Sequence, residues 1–517
     1  MKTCLLLAFC VVGMSIYALP TYEPFTEYSS LLVASGSNAV DLATSGFYLT
    51  NGTVVEQWGG GSSGFGLFFS QGTPSGSSYN DVLVTNNSAT VFTSGNLAAI
   101  LPSGFPGAGG DINITAFVPQ NQGANRAGNS AVLQFAQGIP RPTNGVKTIY
   151  VSYLLDVTGN FNGATGGNSG RYAGFLSQTN LYEGTGSGGA YSTWTAMFNT
   201  FNSSITYVSY GEKTNTPAVG GGQGDNIEPS DSSNGGGGPG AAGIKAIYNT
   251  ANFVVGCFAF TAGGATKDTN TVWLNPPVAD FGGPVPSTNN ITSFTMGTVM
   301  SDVDAFFLES RSGGATGGIG PTFIGNLLIG TTWSYVTGGP EFTNSPADVQ
   351  ITAYGTNVTL SGGAVAGAQN VTYQWQKVTG GTTNNLADGT GTAGGTAIVS
   401  GSHSSTLTLS NVSAGDTGQY QLVATASGTG FSLAAPVNIL PPSINLNPTS
   451  LYISLAGNQA TLSWPTDHTG WQLQAQTNSV SGTNWVGVND STTTNQIIVP
   501  INPTNGSVFF RLAYPAQ

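Results

Sequence analysis

The stretch "TIYVSYLLDV", Thr148 to Val157, decides the fold class. Side chains of a strand alternate between its faces, so Ile149, Val151, Tyr153, Leu155 and Val157 form one apolar stripe with period two. The same period returns in "GWQLQAQT", Gly470 to Thr477, where Trp471, Leu473 and Ala475 are expected inward and Gln472, Gln474 and Gln476 outward. Half-buried strands of this kind belong to antiparallel sandwiches. Helical spacing at i, i+3, i+4 and i+7 is nearly absent, and Gly or Pro interrupts most windows. The chain reads as all-β.

At 517 residues the chain has room for about three to four domains. Charged residues make up 7% of it, against an ordinary ~25%, so Ser, Thr, Asn and Gln must cover the surface. The N-terminal "MKTCLLLAFCVVGMSIYALP" has Lys2, an apolar run from Leu5 to Val12 and a small residue at Ala18. That is the pattern of a secretory signal over residues 1–18, and the run is shorter than the roughly 20 residues of a spanning helix. A secreted, extracellular or cell-surface location is expected, with no membrane span once the signal is removed.

Without Lys2, 11 − 1 = 10 basic residues face 23 acidic ones, a balance of −13. Nucleic acid is excluded as a partner, because phosphate binding needs clustered Lys and Arg and these are scattered from Arg126 to Arg511. Cys4 and Cys10 leave with the signal, so Cys257 is alone and no internal disulfide can form. A large exported chain without disulfides points to a bacterial source. Cys257 lies in the apolar run "FVVGCFAF" and reads as a buried, inert thiol.

Three blocks follow the signal: 19–340, with a Gly/Ser-rich loop from Gly211 to Gly243 that reads as mobile, then 341–440, then 441–517. Core candidates of the last are Leu462, Trp464, Trp471, Leu473, Trp485, Phe510 and Leu512.

In the middle block, Trp375, "STLTLSNVS" from Ser405 to Ser413, and Asp416, Gly418 and Tyr420 within "GDTGQYQL" carry a resemblance to immunoglobulin-like domains of intermediate-set type in exported bacterial proteins. The resemblance implies a sandwich with Trp375 inward and Tyr420 at the E–F corner. It also implies an inter-sheet Cys pair at two positions that here read Gly362 and Leu422, so packing around Trp375, Leu409 and Leu422 must replace the sulfur. The last block, through "LSWP", "GWQLQ", "TNW" and "FFRL", looks like the fibronectin-like ends of similar proteins. The first block is similar to concanavalin-like or laminin-G-like jelly rolls through "VSYLLDVTG", "VVGCFAF", "TVWLNP" and a closing strand "IGTTWSYV", Ile329 to Val336. Gly325 and Asn326 stand where such proteins often carry an acidic residue. The expected architecture is a jelly-roll sandwich followed by two smaller β-sandwich domains.

Jelly rolls of this class include lectins and glucanases. A glycosidase needs paired carboxylates, and the best set is Asp302, Asp304 and Glu309, but Glu309 is an odd step away and falls on the other strand face unless a bulge intervenes. Ser62 in "GGSSG" lacks the strand-turn-helix context of a nucleophile elbow. His403 and His468 both read as exposed turns without converging partners. Asp156, Asn160 and Asn162 at a strand end form the one oxygen-rich set suited to calcium, the sole cofactor considered, but one carboxylate is few for a tight site and a plain Asn/Gly turn is the favoured reading. Sugar binding calls for aromatic platforms near loop tips, and Tyr172, Tyr182, Tyr191 and Trp194 are the candidates.

The sequence therefore points to a non-enzymatic, exported binding or adhesion protein whose partner is a polysaccharide or cell-surface component. One alternative is a structural protein that self-associates into a matrix or surface layer. A third is a polysaccharide-active glycoside hydrolase or lyase.

Overall fold

The structure is a computed structural model. It describes residues 19–23, 39–41, 47–48, 54–56, 83–86, 90–118, 129–157, 170–176, 193–202, 205–212, 244–246, 249–262, 268–287, 291–295, 302–311, 322–442, 444–445, 447–477, 479–502 and 506–514. Strands dominate throughout, so the all-β reading holds. The chain divides into two compact units, the first of residues 1–343 with 364–371 and 425–433, the second of the remainder.

The first unit is built on two antiparallel sheets. One has nine strands, with Val146–Val157 at its centre between Asn252–Thr261 and Thr322–Gly330. The other has six, in the order Ile244–Ala246, Ile205–Glu212, Thr193–Asn202, Gly170–Leu176, Asp302–Arg311, Asn129–Pro140. Ile149, Val151, Tyr153, Leu155 and Val157 are fully buried on the face that meets the six-stranded sheet. The expected half-burial is wrong for this strand, because Tyr150, Ser152, Leu154 and Asp156 on its other face are buried too. A third layer of turns covers them.

Phe92, Leu97, Phe105, Phe281 and Trp333 of that layer share one cluster with Tyr150, Leu154, Phe253 and Cys257 of the sheet. Edge-to-face contacts join Phe105 to Phe253 at 5.4 Å and Trp273 to Trp333 at 5.1 Å, a favoured geometry for ring quadrupoles. The segments Ala364–Val371 and Thr425–Leu433 belong to this unit, and their Val365 and Phe431 pack on the same cluster. Gly338, at φ +91°, accepts at its carbonyl from Gln369 Nε2 and Thr429 Oγ1, both at 2.8 Å. A Cβ there would stand 2.8 Å from the Phe105 ring.

The expected closing strand Ile329–Val336 is only partly strand: it ends at Gly330, and Trp333–Val336 form a helical turn. Thr332 caps that turn, accepting from Tyr335 N at 3.3 Å. Glu341 explains why the chain breaks there. Its buried carboxylate accepts from the backbone N–H and hydroxyl of both Thr331 and Thr332 at 2.7–3.1 Å. The two backbone N–H groups would be available to a ladder if the strand continued. Gly325 and Asn326 lie at a register shift, with Asn326 at φ +55° and its Nδ2 donating to Pro106 O at 2.7 Å. They tie the sheet to the third layer.

In the second unit, Val358–Ser361, Val371–Thr379, Thr406–Ser410 and Gly418–Ala426 are strands as expected. They divide between a three-stranded and a five-stranded sheet, the latter including a parallel pairing of Val349–Gln350 with Ser432–Leu440. Trp375 is fully buried, its indole donating to Ser404 O at 3.0 Å. Gly362 and Leu422 do oppose each other: a Cβ on Gly362 would stand 2.8 Å from Leu422 Cδ2. The fully buried isobutyl group occupies the space a cystine would span.

The last block pairs Tyr452–Ala456, Gln459–Ser463 and Gln496–Pro500 in one sheet, and Val486–Gly487, Gln472–Gln476 and Phe509–Ala513 in another. Leu462, Trp464 and Leu473 form its core, with Phe510 and Leu512 packed against them. Trp471 and Trp485 depart from expectation and stay partly exposed. Gln474 and Gln476, expected outward, are buried, because Arg511 covers Gln474 and the turn at Ser479 to Gly482 takes up the Gln476 amide.

Candidate functional site

The E–F corner gathers the most chemistry in the second unit, and all of it is structural. Asp416 is fully buried and its carboxylate accepts from Ser413 N at 2.7 Å, Thr396 N at 3.1 Å, Ala397 N at 3.1 Å and the hydroxyls of Ser413 and Thr392. Burial pushes its pKa up, but these bonds outweigh burial and hold it below the ordinary carboxylate value. Tyr420 donates to Asp416 O at 2.6 Å, completing the corner. Gly418 sits at φ +120°, open only to glycine without strain. Lys377, two residues after Trp375, is also buried and donates to Ala393 O, Thr392 Oγ1 and Gly415 O. Burial lowers its pKa while Asp416 raises it, with a net downward shift. Sequence reading missed Lys377, although a lone Lys two places after the inward Trp, on the same strand face, was the available signal.

His403 is exposed, as expected. His468 is not: it is buried between Asp467 Oδ1 and Asn447 O, each at 2.8 Å from a ring nitrogen, and lies 5.4 Å from the Trp471 ring. The covering carbonyl comes from 21 residues away, so local polarity misled. Cys257 is buried, and desolvation pushes its thiol up to about 12, as fits an inert role.

In the first unit, Asp156 lies on the last turn of sheet before Val157, paired to Phe323 and 2% exposed. Its Oδ1 has no hydrogen-bond partner among the described residues, and burial raises its pKa to about 6. Asn160 and Asn162 lie outside the described residues, and no group of three ligating side chains occurs among those described. Asp302, Asp304 and Glu309 share the strand Asp302–Arg311. A register shift falls between Val303 and Ala305, so the regular alternation behind the opposite-face expectation is interrupted there. Ser62 lies outside the described residues, as does the Gly/Ser loop from 213 to 243.

Two of the four aromatic candidates lie on neighbouring strands, Tyr172 paired to Met197 and Trp194 beyond a register shift at Ala196. Trp194 pairs directly with Gly174, two residues from Tyr172 on the neighbouring strand. Ala173 and Phe175 are fully buried, Phe175 against Phe306 at 5.7 Å. Gly174 between them is buried as well. The side chains of Tyr172 and Trp194, and all of Tyr182 and Tyr191, lie outside the described residues.

No family model matches the chain, and no curated protein matches it. Among solved structures, lectin II from Ulex europaeus is 11% identical, over 42% of this chain and 86% of that one, with a TM-score of 0.23. An immunoglobulin domain in a titin M10–obscurin-like 1 complex is 18% identical over 20% of this chain and 93% of that one, at 0.15. A titin A168–A169 fragment is 12% identical over 34% and 96%, at 0.18. None of these scores assigns a family. No helix among the described residues is long and apolar enough to cross a membrane.

Proposed function

We propose that this is a secreted or cell-surface binding protein whose first unit recognises carbohydrate, with the immunoglobulin-like and fibronectin-like blocks as spacers. The observation that carries the reading is that Tyr172 and Trp194 lie on neighbouring strands of the six-stranded sheet. Aromatics on neighbouring strands can offer an apolar platform for a sugar ring, and neighbouring backbone and amide groups supply hydrogen bonds. The buried ionisable groups of the second unit are consumed by the fold, which favours binding over chemistry. A glycan array probed with the full chain tests this: retention of an oligosaccharide that is lost in Tyr172→Ala and Trp194→Ala supports it. No retention, or retention untouched by both substitutions, overturns it.

A structural, self-associating role is the second reading, favoured by one feature. The edge strand Tyr452–Ala456 pairs only with Gln459–Ser463 among the described residues and carries no charge. Ile453 and Leu455 on it are 57% and 69% exposed. Uncovered, uncharged edges invite pairing with another chain. Light scattering at rising concentration separates the readings, since a monodisperse monomer rules out self-association.

A further inference from the structure

Arg511 is one of few cations in this acidic chain, and its setting differs from that of Arg141. Arg141 is bound to the buried Asp268 through both terminal nitrogens, at 3.0 and 2.5 Å. Arg511 has no acidic partner among the described residues. Its guanidinium carbon lies 4.4 Å from the centre of the Trp485 ring, and its Nε donates to Gln474 Oε1 at 2.8 Å. Gln474 is itself 3% exposed, so the acceptor that aims Arg511 is fixed in the sheet. Register places Gln474 between Gly487 and Arg511 in one cross-strand row. Gly487 keeps that row flat, since a Cβ there would collide with the Gln472 amide at 2.4 Å.

These contacts use one edge of the guanidinium and one of its faces. The two terminal nitrogens remain, on an exposed residue, with no protein acceptor among the described residues. A guanidinium whose plane is fixed in advance matches a carboxylate bidentately and loses little further freedom on binding. Trp485, partly exposed beside it, adds an aromatic edge for a sugar ring, while Gln474, its Oε1 taken by Arg511 and its Nε2 by Gln472, only aims the guanidinium.

We propose that Arg511, aimed by Gln474, and Trp485 form a second binding site, separate from the first unit, for a sugar bearing a carboxylate, that is, a uronate residue of an acidic polysaccharide. The site does not depend on Tyr172 or Trp194, so it stands or falls apart from the reading above.

The test is titration of the full chain with an α-1,4-linked galacturonate trimer, followed by calorimetry and by the indole and guanidinium N–H resonances. The neutral galactose trimer and a glutamate trimer serve as controls. Wild type is expected to bind the uronate over both controls. Arg511→Gln should weaken it by about 10- to 100-fold, the loss expected for a charge-assisted bond. Arg511→Lys, which keeps charge and drops the fork, should weaken it by about tenfold. Thermal unfolding of each variant reports folding independently, and Trp485→Phe, which keeps an aromatic ring, should retain part of the affinity. Equal binding by Arg511→Gln, equal binding of the neutral trimer, or a preference for the glutamate trimer overturns the proposal.

Discussion

Asp156 and Asp416 are the same residue type, both nearly without exposure, and the fold treats them in opposite ways. Asp416 receives bonds from five donor groups on Ser413, Thr392, Thr396 and Ala397, and its pKa falls. Asp156 receives none at Oδ1, and its pKa rises to about 6. Burial penalises both carboxylates, so what differs is the supply of N–H and O–H donors. At the corner, a tight turn leaves backbone N–H groups unused by any ladder. In the middle of a nine-stranded sheet the ladder has already taken them.

The largest effect should come from emptying the better satisfied site. Asp416→Ala leaves Lys377 buried without its nearby charge and strips the acceptor from a set of buried donors, which should cost about 3–5 kcal/mol. Loss of hydrogen-exchange protection in Gly418–Ala426, with Val146–Val157 unchanged, is the expected readout.

The comparison sharpens with pH. The folded pKa of Asp156 is raised from 3.8 to about 6, so stability tied to this group is full below about pH 4 and lost as pH rises through 6. The loss is on the order of 3 kcal/mol, from 1.36 kcal/mol per pKa unit. Asp416 has a depressed pKa, so its contribution holds above the ordinary carboxylate range and disappears as pH falls below it. Protection in Val146–Val157 should therefore drop between pH 4 and 7 and that drop should vanish in Asp156→Asn. A flat profile in wild type would break the contrast.

The packing that replaces sulfur offers a smaller effect. Gly362→Ala pushes a methyl against Leu422 Cδ2 at 2.8 Å and should cost about 1–3 kcal/mol. In the double variant with Leu422→Ala the two losses should sum to less than their separate values, because the new methyl enters the space the leucine vacates. A double-mutant cycle by chemical denaturation measures this. The smallest effect is at Cys257, where a thiol-reactive dye should label the folded chain negligibly at pH 8 and label it fully in denaturant.

Much of the fold was legible. Asp416, Gly418, Tyr420 and Leu422 recur at spacing two because the corner is local, and the residues that make it are within a few positions of each other. Gly362 could be matched to Leu422 because the resemblance supplied their pairing. His468 was misread because its cover comes from Asn447 and Trp471, and Gln474 because Arg511 lies 37 residues on. Of the candidate sugar site, sequence offered four aromatics, and the structure sets two of them, Tyr172 and Trp194, on neighbouring strands.

The sequence by itself determined that strands would form and which of their residues prefer burial, because period two is a property of each strand alone. Only the tertiary structure decided that Val146–Val157 is covered on both faces, that Asp156 Oδ1 has no hydrogen-bond partner among the described residues while Asp416 is enclosed by donors, and that Arg511 rests on Trp485. Those outcomes depend on which distant segment arrives to cover a face, and the local alternation of side chains does not encode that arrival.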